Sequence, residues 1–246
     1  MELRVSGRVA MVVPWFPTQP EKPMKLRRLT FAGAALLLCG PLPSAAQGEC
    51  RIRVLALKPG APESIQIKED DGKSTVAEVP VKSYLNHEFE TLKFTGNRLL
   101  FTSPADPAAV LGRCEIPAKA KSLILLFNPV TTDPVTFNVV AVDDQAKAFP
   151  AGSFQVINLC PEPIRIVLET EPFEFKPGEA RVIGDPPVNE ARSSAMRASF
   201  QRDGKWQAFA SGIWPHPGGK RVLQVITTNP ASGHLELRGV RDVATP

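Results

Sequence analysis

The sequence predicts an all-β fold laid out as two tandem sandwiches, with one larger β-sandwich as the alternative. Three observations carry this. The chain of 246 residues holds 25 Pro and 17 Gly, a turn-rich composition. Its apolar residues fall in short β-branched and aromatic runs separated by Pro, Gly, Asn and Asp, and no segment sustains a 3.6-residue period with caps. The second half also echoes the first at a displacement of about a hundred residues. At 43% hydrophobic and 22% charged the chain can bury a core, which argues against disorder and against a coiled coil.

Residues 1–46 read as a leader rather than as fold. Met24-Lys25-Leu26-Arg27-Arg28 is a basic segment, 29–38 an apolar stretch, and Ser44-Ala45-Ala46 a small-residue cleavage site before Gln47. The apolar stretch falls short of the roughly 20 residues a spanning helix needs, so no transmembrane helix is expected in the mature chain. Pro14, Pro17, Pro20 and Pro23 crowd the segment before Met24. The reading therefore takes Met24 as the true start and 24–46 as a signal peptide. Leu38 stands where a lipoprotein signal requires a small residue, which argues against an anchor at Cys39.

The leader holds six of the 29 Lys and Arg and two of the 25 Asp and Glu, which leaves 23 of each in residues 47–246. A net charge of zero with no basic cluster disfavours nucleic acid, whose phosphates demand a basic face. Export to the periplasm or the medium is the expectation.

Strands are expected at 51–57, 64–69, 75–79, 89–94, 98–102, 121–127 and 135–142 in a first domain, 47–145. A second domain, 146–246, has them at 153–159, 164–169, 179–183, 196–201, 205–211, 220–228 and 234–240. Asp70-Asp71-Gly72-Lys73, Gly96-Asn97 and Asp203-Gly204 read as hairpin turns, because Gly, Asn and Asp tolerate positive φ. Short helical turns are expected only within 104–112 and 188–195. Four landmarks carry the internal repeat. Val54-Leu55-Ala56-Leu57-Lys58-Pro59 with Ile65-Gln66-Ile67 parallels Val156-Ile157-Asn158-Leu159-Cys160-Pro161 with Ile164-Arg165-Ile166. Phe94, a Gly-Asn turn and Phe101 parallel Phe200, an Asp-Gly turn and Phe209. Asn128-Pro129 parallels Asn229-Pro230, and a closing strand ends at Val142-Asp143 or Val240-Arg241-Asp242. Seven strands in about a hundred residues suit an immunoglobulin-like sandwich.

Catalytic signatures are sparse. GxSxG, HExxH, P-loop and GxGxxG patterns are missing from the sequence, and His87, His216 and His234 lack a second His or a Cys at i+2 or i+4. No metal site and no cofactor are expected. Asp70-Asp71 reads as a turn and Glu88/Glu90 as a solvated strand face. Asp143 and Asp144, adjacent on a strand, point to opposite faces and make no carboxylate pair by themselves. Cys50 and Cys114 are the disulfide candidates, since each immediately precedes a β-type run. Buried free thiols at Cys50, Cys114 and Cys160 are the competing reading. The best recognition candidates are aromatic. Trp206 and Trp214 share one face if their segment stays extended, with Trp206 read as a core anchor and Trp214 as the exposed platform. Tyr84 is placed like Trp214.

Phe149-Pro150-Ala151-Gly152-Ser153-Phe154-Gln155-Val156-Ile157-Asn158-Leu159, with the later Lys176-Pro177-Gly178, resembles a pattern in a family of uncharacterised secreted bacterial β-sandwich proteins. The resemblance covers 117–242 and implies export and an all-β fold. Cys160 departs from the Ser that usually follows Asn-Leu in that pattern. The functional expectation is an exported, non-catalytic binding or structural module of the bacterial cell envelope, its partner a protein or a polysaccharide. A secreted hydrolase with a loop-built site, and an envelope assembly factor working through a sheet edge, are the rivals.

Overall fold

The computed structural model describes residues 47–243 apart from 59, 86, 87 and 133. His87 therefore lies outside the described residues, as does the expected leader. Among the described residues the fold is all-β without a helix, and no helix is long and apolar enough to cross a membrane.

The first eight strands are β1 (Gln47–Ala56), β2 (Ser64–Glu69), β3 (Thr75–Pro80), β4 (Glu90–Thr95), β5 (Arg98–Thr102), β6 (Val110–Glu115), β7 (Ser122–Thr132) and β8 (Val135–Asp143). They form two sheets ordered β4-β1-β7-β8 and β3-β2-β5-β6. The next eight are β9 (Phe154–Asn158), β10 (Ile164–Leu168), β11 (Glu171–Phe175), β12 (Ala180–Ile183), β13 (Ser193–Arg202), β14 (Lys205–Pro215), β15 (Lys220–Thr228) and β16 (Leu235–Val243). Their sheets are ordered β12-β9-β15-β16 and β11-β10-β13-β14, the first pattern with every number raised by eight. The only parallel pairs described, β1 with β7 and β9 with β15, also correspond.

The repeat extends to single residues. Leu57 N–H donates to Phe127 O, and Leu159 N–H to Ile226 O. Counting along the ladders from these bonds matches Asp144 with Asp242 and Leu125 with Gln224. Both halves also bulge at one place. Leu111 is the extra residue of β6 opposite Phe101 and Thr102, and Phe209 that of β14 opposite Ala198 and Ser199.

Two of the four sequence landmarks need correction. The ladder matches Asn128 with Thr227, so Asn229-Pro230 sits two residues past the equivalent place. Gly96-Asn97 is not a hairpin turn, because β4 and β5 belong to different sheets, whereas Phe200 and Phe209 flank the true hairpin β13–β14. There Asp203 and Gly204 both take positive φ, 52° and 73°, as a tight hairpin requires.

Among the described residues each half has eight strands rather than seven. β6 begins only at the end of 104–112, whose earlier residues hold turns and bends; its bulge at Leu111 and its glycine break the alternation that marks a strand. β11 was hidden by Pro172, which an edge strand tolerates. The 188–195 stretch holds turns and then the start of β13.

The described residues form one compact unit with three apolar clusters. Ile52, Ile67, Leu99, Leu125 and Phe127 belong to the core of the first sandwich, and Phe154, Ile166, Met196, Trp214 and Ile226 to that of the second. The third cluster joins the halves: Leu55, Ile124 and Leu126 on one side, Ile157, Leu223 and Val225 on the other, with Phe149 of the connecting segment. β7 and β15 are thus covered on both faces, and they read as nearly unbroken apolar runs for that reason. Each side chain so buried contributes about 1.5–3 kcal/mol.

A buried ionic quartet completes this junction. Arg53 Nε and Nη2 donate to the Asp144 carboxylate at 3.1 and 2.8 Å, and its Nη1 and Nη2 to Asp242 at 3.1 and 2.8 Å. Arg221 donates to Asp242 from Nε and Nη2 at 3.1 and 2.9 Å, to Asp144 from Nη2, and from Nη1 to the carbonyls of Asp144 and Phe149. Burial alone would raise the Asp242 carboxyl, but hydrogen bonds and charge from Arg53 and Arg221 outweigh it and hold it below the usual carboxylate range. Arg238 adds a second tie, donating to the Ala56 and Leu57 carbonyls and to Ser83 O.

Candidate functional site

A cleft of about 440 Å³ opens in the second sandwich between the edge strands β14 and β16. The ladders show how the sequence makes it, because each lining residue has a counterpart in the first half. There the seam is shut: a Cβ at Gly112 of β6 would lie 2.7 Å from Phe137 O and 2.9 Å from Val139 Cγ2, both on β8. Only a glycine permits that approach. The second half has Ala210 at this position, so the same closure would drive a methyl group into β16. Two residues further along β14 the gap widens. Gly212 stands where the first half has the buried Cys114, and a Cβ there meets nothing within 4 Å.

The cleft is apolar with two polar features. Trp214, 6% exposed, packs on Phe154 with ring centroids 4.9 Å apart, and Met196, Val222 and Leu237 extend that wall. Gln224 occupies the position of Leu125, a core residue of the first half. It is 5% exposed, shares the inward face of β15 with Val222 and Ile226, and lines the cleft. Gly239 of β16 passes close over it, its Cβ position 3.1 Å from Gln224 Oε1. Arg241 supplies a positive charge at the rim.

The two tryptophans exchange their expected roles. Trp214 is the core anchor and Trp206 is half-buried on the outer face, where the Arg165 guanidinium stacks 4.0 Å over its ring. The bulge at Phe209 is the cause. Trp206 pairs with Gln201 and Trp214 with Ser194, positions of opposite parity on β13, so an even spacing on β14 ends on opposite faces. Tyr84, 58% exposed, lies in the connection between β3 and β4, away from the cleft lining.

Cys50 and Cys114 enter the same core cluster as free thiols, and Cys160 is a free thiol in the second. Burial pushes all three up to about 11. His216 Nδ1 accepts the Gly218 N–H at 3.0 Å, and His234 is exposed in the β15–β16 loop. Asp71 caps the β2–β3 turn by accepting from the Lys73 and Ser74 amides. Among the described residues no group of three or more His, Cys, Asp and Glu is arranged to hold a metal ion.

Sequence reasoning missed Gln224, which a core-facing polar residue inside Val222-Leu223-Gln224-Val225-Ile226 could have signalled. It also missed Asn158, whose buried amide donates to the carbonyls of Glu162, Phe175 and Lys176 and accepts the Cys160 N–H. That residue pins the end of β9 to the Lys176-Pro177-Gly178 turn, a physical reason for an Asn and a Pro-Gly to occur together. No protein-family model matches the chain, and no curated protein sequence matches it either.

Proposed function

We propose that this chain is an exported, non-catalytic binding and structural module of the bacterial cell envelope, and that it takes its ligand in the cleft between β14 and β16. One observation carries the binding reading: an open apolar cleft with the single inward-facing amide of Gln224, where the matching site of the other half is filled by Leu125 and sealed at Gly112. A concave apolar site with a single polar group set in its wall is the form that ligand sites take. Export rests on the basic-apolar-small succession of 24–46, and the resemblance over 117–242 belongs to the same reading. Partners are a protein or a polysaccharide of the envelope rather than nucleic acid.

Two measurements test this. Mass spectrometry of the protein recovered from the periplasm or medium is expected to find Gln47 as the first residue; a cytoplasmic chain retaining 24–46 would overturn export. The fluorescent amphiphile 1-anilinonaphthalene-8-sulfonate is expected to bind at one site and to be displaced when the cleft is filled by Gly212→Leu. Equal binding to both proteins removes the cleft as the ligand seat. The assembly-factor reading gains from a second observation, the uncharged edge strand described next.

A further inference from the structure

We infer that the occupant of the cleft is an extended polypeptide segment of another protein, added as a strand along β14 with its apolar side chains inserted toward Gly212 and Trp214. This rests on the binding reading above and deepens it.

The edge of β14 supplies the first argument. β14 ends its sheet and runs eleven residues, and from Gln207 to Pro215 it carries no charged side chain. Edge strands are ordinarily guarded by lysine, by shortness or by cover, since their outward N–H and C=O groups template a further strand. The matching strand β6 is guarded three ways: it has six residues, carries Arg113 and Glu115, and is closed against β8. Lys205 and Pro215 guard the two ends of β14, and between them it keeps only its bulge at Phe209, which leaves the run from Ala210 to Trp214 along the cleft without a guard. Ile213, on the opposite face of that run, is 71% exposed, so a strand laid there meets apolar surface on both of its sides.

The cleft supplies the second. An acyl chain would fill its apolar volume but satisfy neither the β14 main chain nor Gln224. A peptide group offers one donor and one acceptor, the complement of a primary amide. Alternate residues of an added strand point into the gap, so a partner with small or aliphatic residues at every second position fits the space that Gly212 leaves open. Arg241 at the rim favours a carboxylate, from an acidic residue or the chain end.

The test is selection of a random dodecapeptide display library on the protein, followed by titration of an enriched peptide. Enriched sequences are expected to alternate apolar residues, and the synthetic peptide to bind about tenfold more weakly to Gly212→Leu. Gln224→Leu, which keeps the cleft but removes the amide, is expected to weaken binding about threefold or more. Saturating peptide slows hydrogen exchange of the β14 amides at least about tenfold and leaves β6 unchanged. Thermal denaturation of both variants, expected at or above the parent midpoint, establishes that they fold. Peptides that bind Gly212→Leu equally, or protect no β14 amide, overturn the inference. Amphiphile binding that depends on Gly212 without any enriched peptide overturns the strand while leaving the binding cleft standing; loss of both removes both. Protection of β14 that rises with protein concentration and no peptide assigns the edge to a second copy of this chain, and likewise overturns the inference.

Discussion

The two sandwiches follow one connectivity, bulge at one equivalent place and face each other through equivalent sheets, yet one seam is shut and the other open. Gly112, Cys114 and Leu125 line the shut seam; Ala210, Gly212 and Gln224 stand at the same ladder positions in the open one. Backbone pairing is insensitive to these exchanges, because strand order is set by hydrogen bonds and by which face is apolar. Edge closure is sensitive to them, since it depends on one methyl group at 2.7 Å and on one missing side chain. A repeat can therefore hold its architecture while a few side chains give one copy a cleft.

The largest test of the comparison lies where the halves meet. Asp144 and Asp242 are ladder equivalents, but their arginines are not: Arg53 matches Gln155, and Arg221 matches Ser122. Putting Ser at position 221 makes the second half like the first and leaves two buried carboxylates with one guanidinium. Arg221→Ser is expected to cost about 3–5 kcal/mol, read as denaturant stability, because an unpaired buried charge is left behind. The acid limb should change with it. Asp242 has its folded pKa lowered, so its contribution is present above the unfolded value near 4 and is lost as pH falls through the folded one. Parent stability should hold above about pH 5 and decline below about pH 4, whereas Arg221→Ser should decline less steeply over that range. A loss under 1 kcal/mol would show that the quartet does not couple the halves.

Next in size is the closed seam. Gly112→Ala gives the first half the residue of the second and forces its methyl against Phe137 O and Val139, for an expected loss of about 1–3 kcal/mol. The reciprocal Ala210→Gly should change stability by less than about 1 kcal/mol, the backbone-entropy cost of glycine in a strand. Equal losses at the two positions would mean that seam closure is not what Gly112 provides.

Most of the fold is legible in the sequence because turns and alternation are local. Fourteen of the sixteen strands were expected; the two missed ones are the bulged β6 and the proline-bearing edge β11, where the local signal is broken by a feature that only a neighbour explains. The repeat was legible through Val54–Pro59 and its counterpart, whereas Asn128-Pro129 misled because turn residues recur without being in register. The site was less legible. Trp214 was read as the exposed platform and stands in the core, because parity along β14 is reversed by Phe209, a residue that looks like any other strand aromatic. Gln224 and Gly212 acquire meaning only beside Leu125 and Cys114, a comparison that requires the ladder register.

The third test asks whether the amide in the cleft is a liability of the free protein. Gln224→Leu installs the residue of the first half, and it is expected to stabilise the chain by about 1 kcal/mol, measured by thermal denaturation without ligand. A destabilised variant would show that Gln224 is satisfied in the free protein and that the open seam needs no occupant.

The smallest effect separates the two tryptophans. Trp206 stands on the outer face of β14 under Arg165, which also donates to Glu174 from Nε at 2.9 Å. Both groups are partly solvated, so Trp206→Ala should cost about 1 kcal/mol or less, the worth of an exposed cation–π contact. Arg165→Ala should cost a similar amount, and the double variant less than the sum, since each single change already breaks the shared contact. Deleting Phe209 reverses the assignment: removing the bulged residue restores strict alternation between Gln201 and Ser194, which turns one of the two indoles to the other face. Because Trp214 is held by Phe154 and the core, Trp206 is the one expected to turn inward, and its fluorescence to shift to shorter wavelength. Unchanged emission in the deletion variant would mean that the face of Trp206 is set by its stacking with Arg165 rather than by the bulge.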